Sequence, residues 1–178
     1  LLNRSDESMS QAASCKAKIG ALLLLGAPLL TPEPVAAVEA KPDPVRIVAL
    51  GDSLTAGFGL RPNEAFPARL QAALRAKGYA VTIANAGVSG DTSAGALARV
   101  ARSVPKGTDL VIVELGANDI LRGASPTSME RNLDRILSQL RAGGSEVVLA
   151  GMIAPPGMGN GFSRSFDVVY ERLARKHS

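Results

Sequence analysis

The chain has 178 residues, 46% hydrophobic and 20% charged, which is enough for one globular domain and gives no sign of a second. Its net charge of +4 is scattered, with neither a basic stripe nor interleaved aromatic residues, so the composition argues against nucleic-acid binding. Aromatic residues make up 3% and there is no tryptophan, which predicts an aliphatic core.

The first forty residues have the layout of a secretory signal peptide. Lys16 and Lys18 precede an apolar run over 19–30, and small residues follow it up to Ala40. The run is shorter than the roughly 20 residues that span a bilayer, which favours export over a stable membrane span. We therefore expect cleavage after Ala40 or Ala37, and export to a bacterial periplasm or to the medium.

Two further features of this segment agree with export. Residues 1–8 precede the first methionine and look like translated sequence upstream of the true start. The only cysteine, Cys15, is lost on cleavage, and a mature chain without a thiol suits an oxidising compartment. The predicted division is thus 1–40 for the upstream residues and signal peptide, and 41–178 for one folded domain.

From Lys41 onward, short apolar runs alternate with longer amphipathic stretches. This pattern is typical of an α/β protein with a parallel sheet and crossover helices. The apolar runs carry almost no charge, as expected of strands that are covered on both faces. The predicted strands are 45–50, about 80–84, 110–115 and 147–152.

Four helices are predicted from apolar residues at helical spacing. The first ends at Gly78, and the third begins at Ser125 with Pro126 in its first position and ends at Gly143-Gly144. We assign all four apolar stripes to core packing. In chain order they are Phe66, Leu70, Ala73 and Leu74; Leu97, Val100 and Val104; Leu133, Ile136, Leu137 and Leu140; and Phe166, Val169, Tyr170 and Leu173.

Small and polar residues cluster at the ends of the first three predicted strands. Ser53 follows the first strand, the segment 85–92 follows the second, and the segment 114–119 closes the third. Taken singly, each cluster also fits an ordinary strand-to-helix turn. Because the carboxyl ends of parallel strands share one edge of the sheet, where ligands bind, the three together predict a single site.

The residue types in these clusters suit acyl transfer. A serine hydroxyl can attack a carbonyl carbon, and fixed donors around the developing oxyanion are worth about 3 kcal/mol each. The backbone N–H groups of Ser53 and Gly90 and the side-chain amide of Asn118 are donors of this kind. No metal is indicated, because one histidine and dispersed carboxylates do not form a ligand set.

Three stretches together resemble the SGNH, or GDSL-type, serine hydrolases. The similarity is closest to the branch of bacterial arylesterases, acyl-CoA thioesterase I and lysophospholipases, and it runs from about Arg46 to His177. The stretches are Gly51-Asp52-Ser53-Leu54-Thr55-Ala56-Gly57, Asn85-Ala86-Gly87-Val88-Ser89-Gly90-Asp91-Thr92-Ser93 and Glu114-Leu115-Gly116-Ala117-Asn118-Asp119-Ile120-Leu121-Arg122-Gly123.

The resemblance implies a flavodoxin-like three-layer α/β/α fold and an exported esterase that forms an acyl-enzyme. It implies Ser53 as the nucleophile, Gly90 and Asn118 in the oxyanion hole, and Asp52 as a structural neighbour rather than the acid of a triad. It further implies no cofactor, a small acyl-ester or thioester substrate, and a monomer when the domain is complete.

The chain departs from the family in the residues that would supply the catalytic base. The family carries Asp-x-x-His near the carboxyl end, and this sequence has no such motif. The single histidine, His177, ends the fourth predicted helix, and about 13 helical residues at 1.5 Å each place it some 20 Å from Ser53. Asp167 lies ten residues from it rather than three. We therefore expect His177 to be a helix-end histidine and not the base.

Two hypotheses follow for the domain over 41–178. One is a serine esterase whose catalytic Asp and His are absent from this chain, because a partial reading frame has lost a strand, the catalytic loop and a final helix. The other is a catalytically incomplete scaffold with negligible turnover. Loss of an edge strand also predicts an exposed flank on the fourth strand and a tendency to aggregate.

Overall fold

The computed structural model describes residues 43–178, so the predicted signal peptide lies outside the described residues. This part of the chain forms four strands and six helices. In chain order they are β1 (Val45–Gly51), α1 (Ser53–Ala56), α2 (Phe66–Ala76), β2 (Val81–Gly87), α3 (Ser93–Ser103), β3 (Leu110–Glu114), α4 (Ala117–Leu121), α5 (Pro126–Ala142), β4 (Glu146–Ala150) and α6 (Asn160–Lys176). Across 43–178, no helix is both long and apolar enough to cross a membrane.

The strands form one parallel sheet in the order β2-β1-β3-β4, which confirms the predicted α/β class. β1 lies inside the sheet, and its last five residues are buried. β2 runs to Gly87, three residues beyond its predicted end, because Asn85 and Gly87 keep their pairing with Ala49 and Gly51 of β1. Sheet pairing here overrides the poor strand propensity of asparagine and glycine. At the other edge, β4 pairs with β3 and leaves Val148 half exposed.

The helices α3, α5 and α6 pack on one another and cover one face of the sheet. The stripes predicted for α5 and α6 are buried throughout, and Phe166 makes an edge-to-face contact with Tyr170, at 5.5 Å between ring centroids. The begin and end signals of α5 are also as predicted, since the Ser125 side chain caps it and Gly143 follows its last residue. These helices therefore bury most of the core.

The stripe predicted for α2 is only partly correct. Phe66, Leu70 and Leu74 are half-buried and Ala73 is exposed. The reason is that α2 packs mainly against β2, which is an edge strand, so it has little surface to cover. With a right-handed crossover from β1 to β2, α2 forms a thinner outer layer on the face opposite α3 and α5.

Candidate active site

Ser53 is the first residue of α1, a helix of one turn directly after β1. Asp52 caps this helix from a fully buried position, because its Oδ1 accepts the N–H of Leu54 at 3.0 Å. Gly57 ends it with φ 83° and donates its N–H to the carbonyl of Ser53 at 3.0 Å. The turn thus holds Ser53 half-buried at the carboxyl edge of the sheet.

Close backbone packing fixes the height of α1 above the sheet. A Cβ at Gly87, the last residue of β2, would lie 2.7 Å from the Cα of Ala56. A Cβ at Gly51, the last residue of β1, would lie 2.7 Å from the carbonyl oxygen of Glu114 and would clash with Thr55. Both strands therefore end in glycine because α1 sits directly on them.

Replacing Gly87 with alanine is expected to lower the free energy of unfolding by about 1–3 kcal/mol, because the methyl group must displace the backbone of α1. Gly161→Ala is the matched control, since a Cβ there meets open space in the first turn of α6. Urea unfolding of the three proteins measures the difference. A Gly87→Ala protein as stable as wild type would contradict the close packing.

The structure brings the three sequence clusters together through Asn118, in α4. Its Nδ2 donates to Asp52 Oδ2 at 3.1 Å and to the carbonyl of Asp91 at 3.0 Å. The amide therefore joins the turn after β1 to the loop after β2. Since both of its N–H bonds have protein acceptors, one of them must be released before Asn118 can donate to a bound oxyanion.

Two backbone donors beside it are free. The N–H of Ser53 has no intrahelical acceptor, as the first N–H of a helix, and among residues 43–178 neither it nor the N–H of Gly90 makes a backbone hydrogen bond. Gly90 has φ 81°, a conformation that a side chain disfavours. Its carbonyl accepts from Arg122 Nη2 at 2.8 Å, so an arginine of the third cluster orients the loop of the second.

A buried arginine, which the sequence reasoning missed, connects the strand ends below the site. Arg99 of α3 is 7% exposed, and its Nη2 donates to the carbonyl of Gly51 at 3.0 Å. Its Nη1 donates to the carbonyl of Ala86 at 2.9 Å, and its Nε donates to Asp91 Oδ2 at 2.7 Å. The sequence does carry a signal for this burial, because Arg99 stands next to Val100 on the apolar face of the predicted helix.

A second buried network ties α4 to its neighbours. Asp119 Oδ2 accepts the N–H of Ser93 at 2.8 Å, and its Oδ1 accepts the Ser93 hydroxyl at 2.6 Å. The Ser93 oxygen in turn accepts from Asn132 Nδ2 of α5 at 3.0 Å. Because Asp119 is adjacent to Asn118, this network holds the predicted oxyanion donor in place.

Glu114, the last residue of β3, is a buried acid under α1. Its Oε2 accepts the hydroxyl of Thr55 at 2.8 Å, and its Oε1 is buried without a partner among the described residues. Burial raises the pKa of Glu114 to about 7, against the opposing effect of the Thr55 hydrogen bond and with a further contribution from Asp52. The sequence shows that an acidic residue, Glu114, ends an otherwise apolar strand, but it does not show that Thr55 is its hydrogen-bond partner.

His177 lies away from the site, as expected from the helix length. Its Nε2 is 2.7 Å from Asp134 Oδ1, and with Arg141 it borders Glu146 at the amino end of β4, whereas Ser53 follows the carboxyl end of β1. Lys176 and His177 lower the pKa of Asp134.

Asp167 is also used elsewhere, since its Oδ1 accepts the N–H of Ala154 at 2.8 Å. In the part of the chain that the structure describes, no three His, Cys, Asp or Glu side chains are grouped so that they could hold a metal ion. The groups gathered around Ser53 are therefore hydrogen-bond donors and buried acids.

Exposed apolar side chains border this edge of the sheet. They belong to α1, to α4 and to the loops that follow α1, β2 and β4. They are Leu54, Phe58, Leu60, Val88, Leu121, Ile153 and Met158. Phe58 and Leu121 are 81% and 80% exposed, and the backbone N–H of Phe58 donates to the carbonyl of Ser53, which places Phe58 of this apolar rim beside the serine.

Comparison with known proteins agrees with this geometry. The profile of the GDSL-like lipase/acylhydrolase family matches residues 49–178. Esterase TesA of Pseudomonas aeruginosa is 40% identical over 129 residues, which make up 72% of this chain and 64% of TesA. An arylesterase of Vibrio mimicus is 38% identical over 130 residues, covering 72% of this chain and 65% of that protein. The chain thus spans less than two thirds of the length of these relatives.

A solved structure shows the same fold. The crystal structure of AlinE4, an SGNH-hydrolase family esterase, superposes with a TM-score of 0.74 at 45% sequence identity. The match covers 78% of this chain and 75% of the other. The similarity therefore extends over most of the region that carries the sheet and the three clusters.

Proposed function

Because the chain belongs to the GDSL-like lipase/acylhydrolase family, we propose that it acts as an exported serine esterase, of the arylesterase, thioesterase or lysophospholipase type. It hydrolyses carboxylic or thio esters through an acyl-enzyme on Ser53. The signal-peptide layout of residues 1–40 supports export. The observation that carries the proposal is the position of Asn118, whose amide bridges the serine turn and the Gly90 loop.

The donors around Ser53 support this chemistry. Attack of the Ser53 hydroxyl on an ester carbonyl turns the carbonyl oxygen into an oxyanion, the alcohol or thiol leaves, and water then releases the acid. The N–H groups of Ser53 and Gly90 are free to receive the oxyanion, and Asn118 supplies a third donor by giving up one of its present acceptors. The two backbone donors are already fixed and need little reorganisation during the reaction.

Proton transfer is the step that the described residues do not supply. The serine proton must pass to a base. His177 cannot accept it in this structure, because it is bonded to Asp134 and lies near the amino end of β4, whereas Ser53 follows the carboxyl end of β1. We propose Asp52 as a positioning residue and not as that base, since its two carboxylate oxygens accept from Leu54 and Asn118. No base is assigned to this chain.

The apolar rim bears on the substrate. Phe58, whose N–H donates to the carbonyl of Ser53, and Leu121, on the helix that carries Asn118, are exposed and offer contact area to an acyl chain or an aryl leaving group. The substrate is therefore proposed to be a small ester or thioester with an apolar group on at least one side of the scissile bond.

The test is covalent capture of the serine by a fluorophosphonate, read by mass spectrometry of the whole protein and of its peptides. We expect one adduct, on the peptide that contains Ser53, and none in Ser53→Ala. The His177→Ala protein should react like wild type. Absence of an adduct in the folded protein would overturn the proposal in favour of a scaffold without turnover, and labelling at another serine would overturn the assignment of the nucleophile.

A further inference from the structure

Glu114 contacts the nucleophile turn from below and has no role in the steps above. Glu114 is 9% exposed. Its Oε2 accepts the hydroxyl of Thr55, and its Oε1 has no hydrogen-bond partner among residues 43–178. An ionised carboxylate with an unsatisfied buried oxygen is costly, whereas the neutral acid is much less so. The site therefore favours the neutral form.

The groups that face Glu114 compensate a negative charge only in part, because the Thr55 hydroxyl and the backbone of Asp52 and Thr55 lower its pKa but burial outweighs them. Asp52 approaches from the turn before α1, while Asp119 of α4 and Tyr170 of α6 belong to the same buried region. Burial and the neighbouring acids raise the pKa of Tyr170, so it stays protonated. Arg99 of α3 is the cation in this region, but its N–H groups donate to Asp91 and to the carbonyls of Gly51 and Ala86 rather than to Glu114.

We propose that Glu114 is a positioning residue, which as a neutral acid holds α1 on the sheet through Thr55, and whose ionisation moves the turn that carries Ser53. The contacts explain why the effect reaches the serine. Thr55 and Asp52 lie on either side of Ser53, and a charge on Glu114 repels the buried carboxylate of Asp52 while it strengthens the pull on Thr55. Asp52 also accepts from Asn118, so the oxyanion donor moves with it.

Ionisation falls in the neutral range, because burial raises the pKa of Glu114 to about 7. The structural coupling does not depend on turnover, and only its catalytic consequence rests on the proposed esterase function. Two independent readouts can therefore separate the inference from the function.

The first readout is the NMR spectrum of the ¹⁵N-labelled protein from about pH 5 to about pH 9, across the range in which Glu114 titrates. We expect the backbone amides of Ser53 and Leu54 and the side-chain amide of Asn118 to shift together with a midpoint near 7. In Glu114→Gln this shared titration should vanish. Glu146→Gln, which changes an exposed acid at the start of β4, should retain it.

A second variant keeps the acid and removes only the link. In Thr55→Val the Glu114 carboxyl group should still titrate in a ¹³C spectrum, while the Ser53 amide follows it much less. This variant also covers the case in which Glu114→Gln fails to fold. Amides of Ser53 and Asn118 that do not titrate near pH 7 in wild type, or that still do so in Glu114→Gln, would overturn the inference.

Stability gives the second readout, and its sign follows from linkage. The pKa of Glu114 is raised in the folded protein, from the ordinary value of 4.5 to about 7, so the folded state holds the proton more tightly than the unfolded chain. This stabilising contribution is complete below pH 4.5 and is lost as the pH rises to about 7. The urea midpoint of wild type should fall over this window relative to Glu114→Gln, and equal pH dependence in the two proteins would contradict the inference.

If the esterase proposal also holds, kcat should fall with a midpoint near pH 7 in wild type but not in Glu114→Gln. An amide titration without any turnover would leave the coupling standing and overturn the esterase proposal. Turnover without the titration would do the reverse.

Discussion

Ser53→Ala is expected to lower any turnover of p-nitrophenyl butyrate to the uncatalysed rate, because the acyl-enzyme cannot form without the hydroxyl, and the drop reaches about 10⁴-fold only where a base completes the site. Asn118→Ala is expected to cost about 10²- to 10³-fold, the usual loss for one oxyanion donor. Steady-state rates with the acetate and butyrate esters measure both. Ser138→Ala, on an exposed position of α5, is the serine control and should leave the rate unchanged.

The role of the histidine is tested in the same series. The His177→Ala protein should hydrolyse the esters at the wild-type rate. In wild type the His177 imidazole is hydrogen-bonded to Asp134 and lies near the amino end of β4, away from Ser53. A rate that depends on both Ser53 and His177 would mean that the carboxyl-terminal helix reaches the site in solution. A wild-type rate equal to that of Ser53→Ala would favour the scaffold without turnover.

Arg99→Ala is expected to lower the free energy of unfolding by about 3–5 kcal/mol, because it leaves the buried carboxylate of Asp91 without its cation. The side chains of this pair are 8% and 11% exposed, so solvent cannot replace the lost partner. The carbonyls of Gly51 and Ala86 lose a donor in the same change. Since domains of this size are stable by only about 5–15 kcal/mol, the loss is a large part of the total.

Urea unfolding measures this effect as a lower midpoint with an unchanged slope. Arg102→Ala is the matched control, because Arg102 is exposed on the same helix and should change stability by no more than about 0.5 kcal/mol. Arg99→Lys should fall between the two, since lysine keeps the charge but its single ammonium nitrogen cannot reach the separate acceptors that Nε, Nη1 and Nη2 of Arg99 contact. An Arg99→Ala protein as stable as Arg102→Ala would show that this network contributes little to the fold.

The substitutions Asn118→Ala and Arg99→Ala both affect the loop after β2, through Asp91. Arg99 holds Asp91, and the carbonyl of Asp91 accepts from Asn118, so we expect loss of the arginine to loosen the proposed oxyanion donor as well. We infer that this carboxyl edge is a single mechanical unit, in which strand ends, α1 and α4 are fixed by side chains from three helices.

Local sequence patterns were sufficient for the strands and for α5 and α6. Aliphatic runs and 3.6-residue periodicity are carried by neighbouring residues, so the four strands occur where predicted and the stripes of these helices are buried, although β2 ends three residues later and β4 two residues earlier than predicted. The positions of Ser53, Gly90 and Asn118 at strand ends follow from the same local order. The short helices α1 and α4 were not predicted, because four or five residues are too few for helix propensity to decide.

Other features depend on pairs that are far apart in the chain. The bond from Arg99 to Gly51 spans 48 residues, that from Thr55 to Glu114 spans 59, and that from Asn118 to Asp52 spans 66. The extra length of β2 and the exposure of α2 likewise depend on which strand lies at the edge. The sequence by itself determined the elements and the chemical groups at their ends. Only the tertiary structure decided how those groups are paired and buried, because hydrogen bonds and desolvation depend on neighbours in space rather than along the chain.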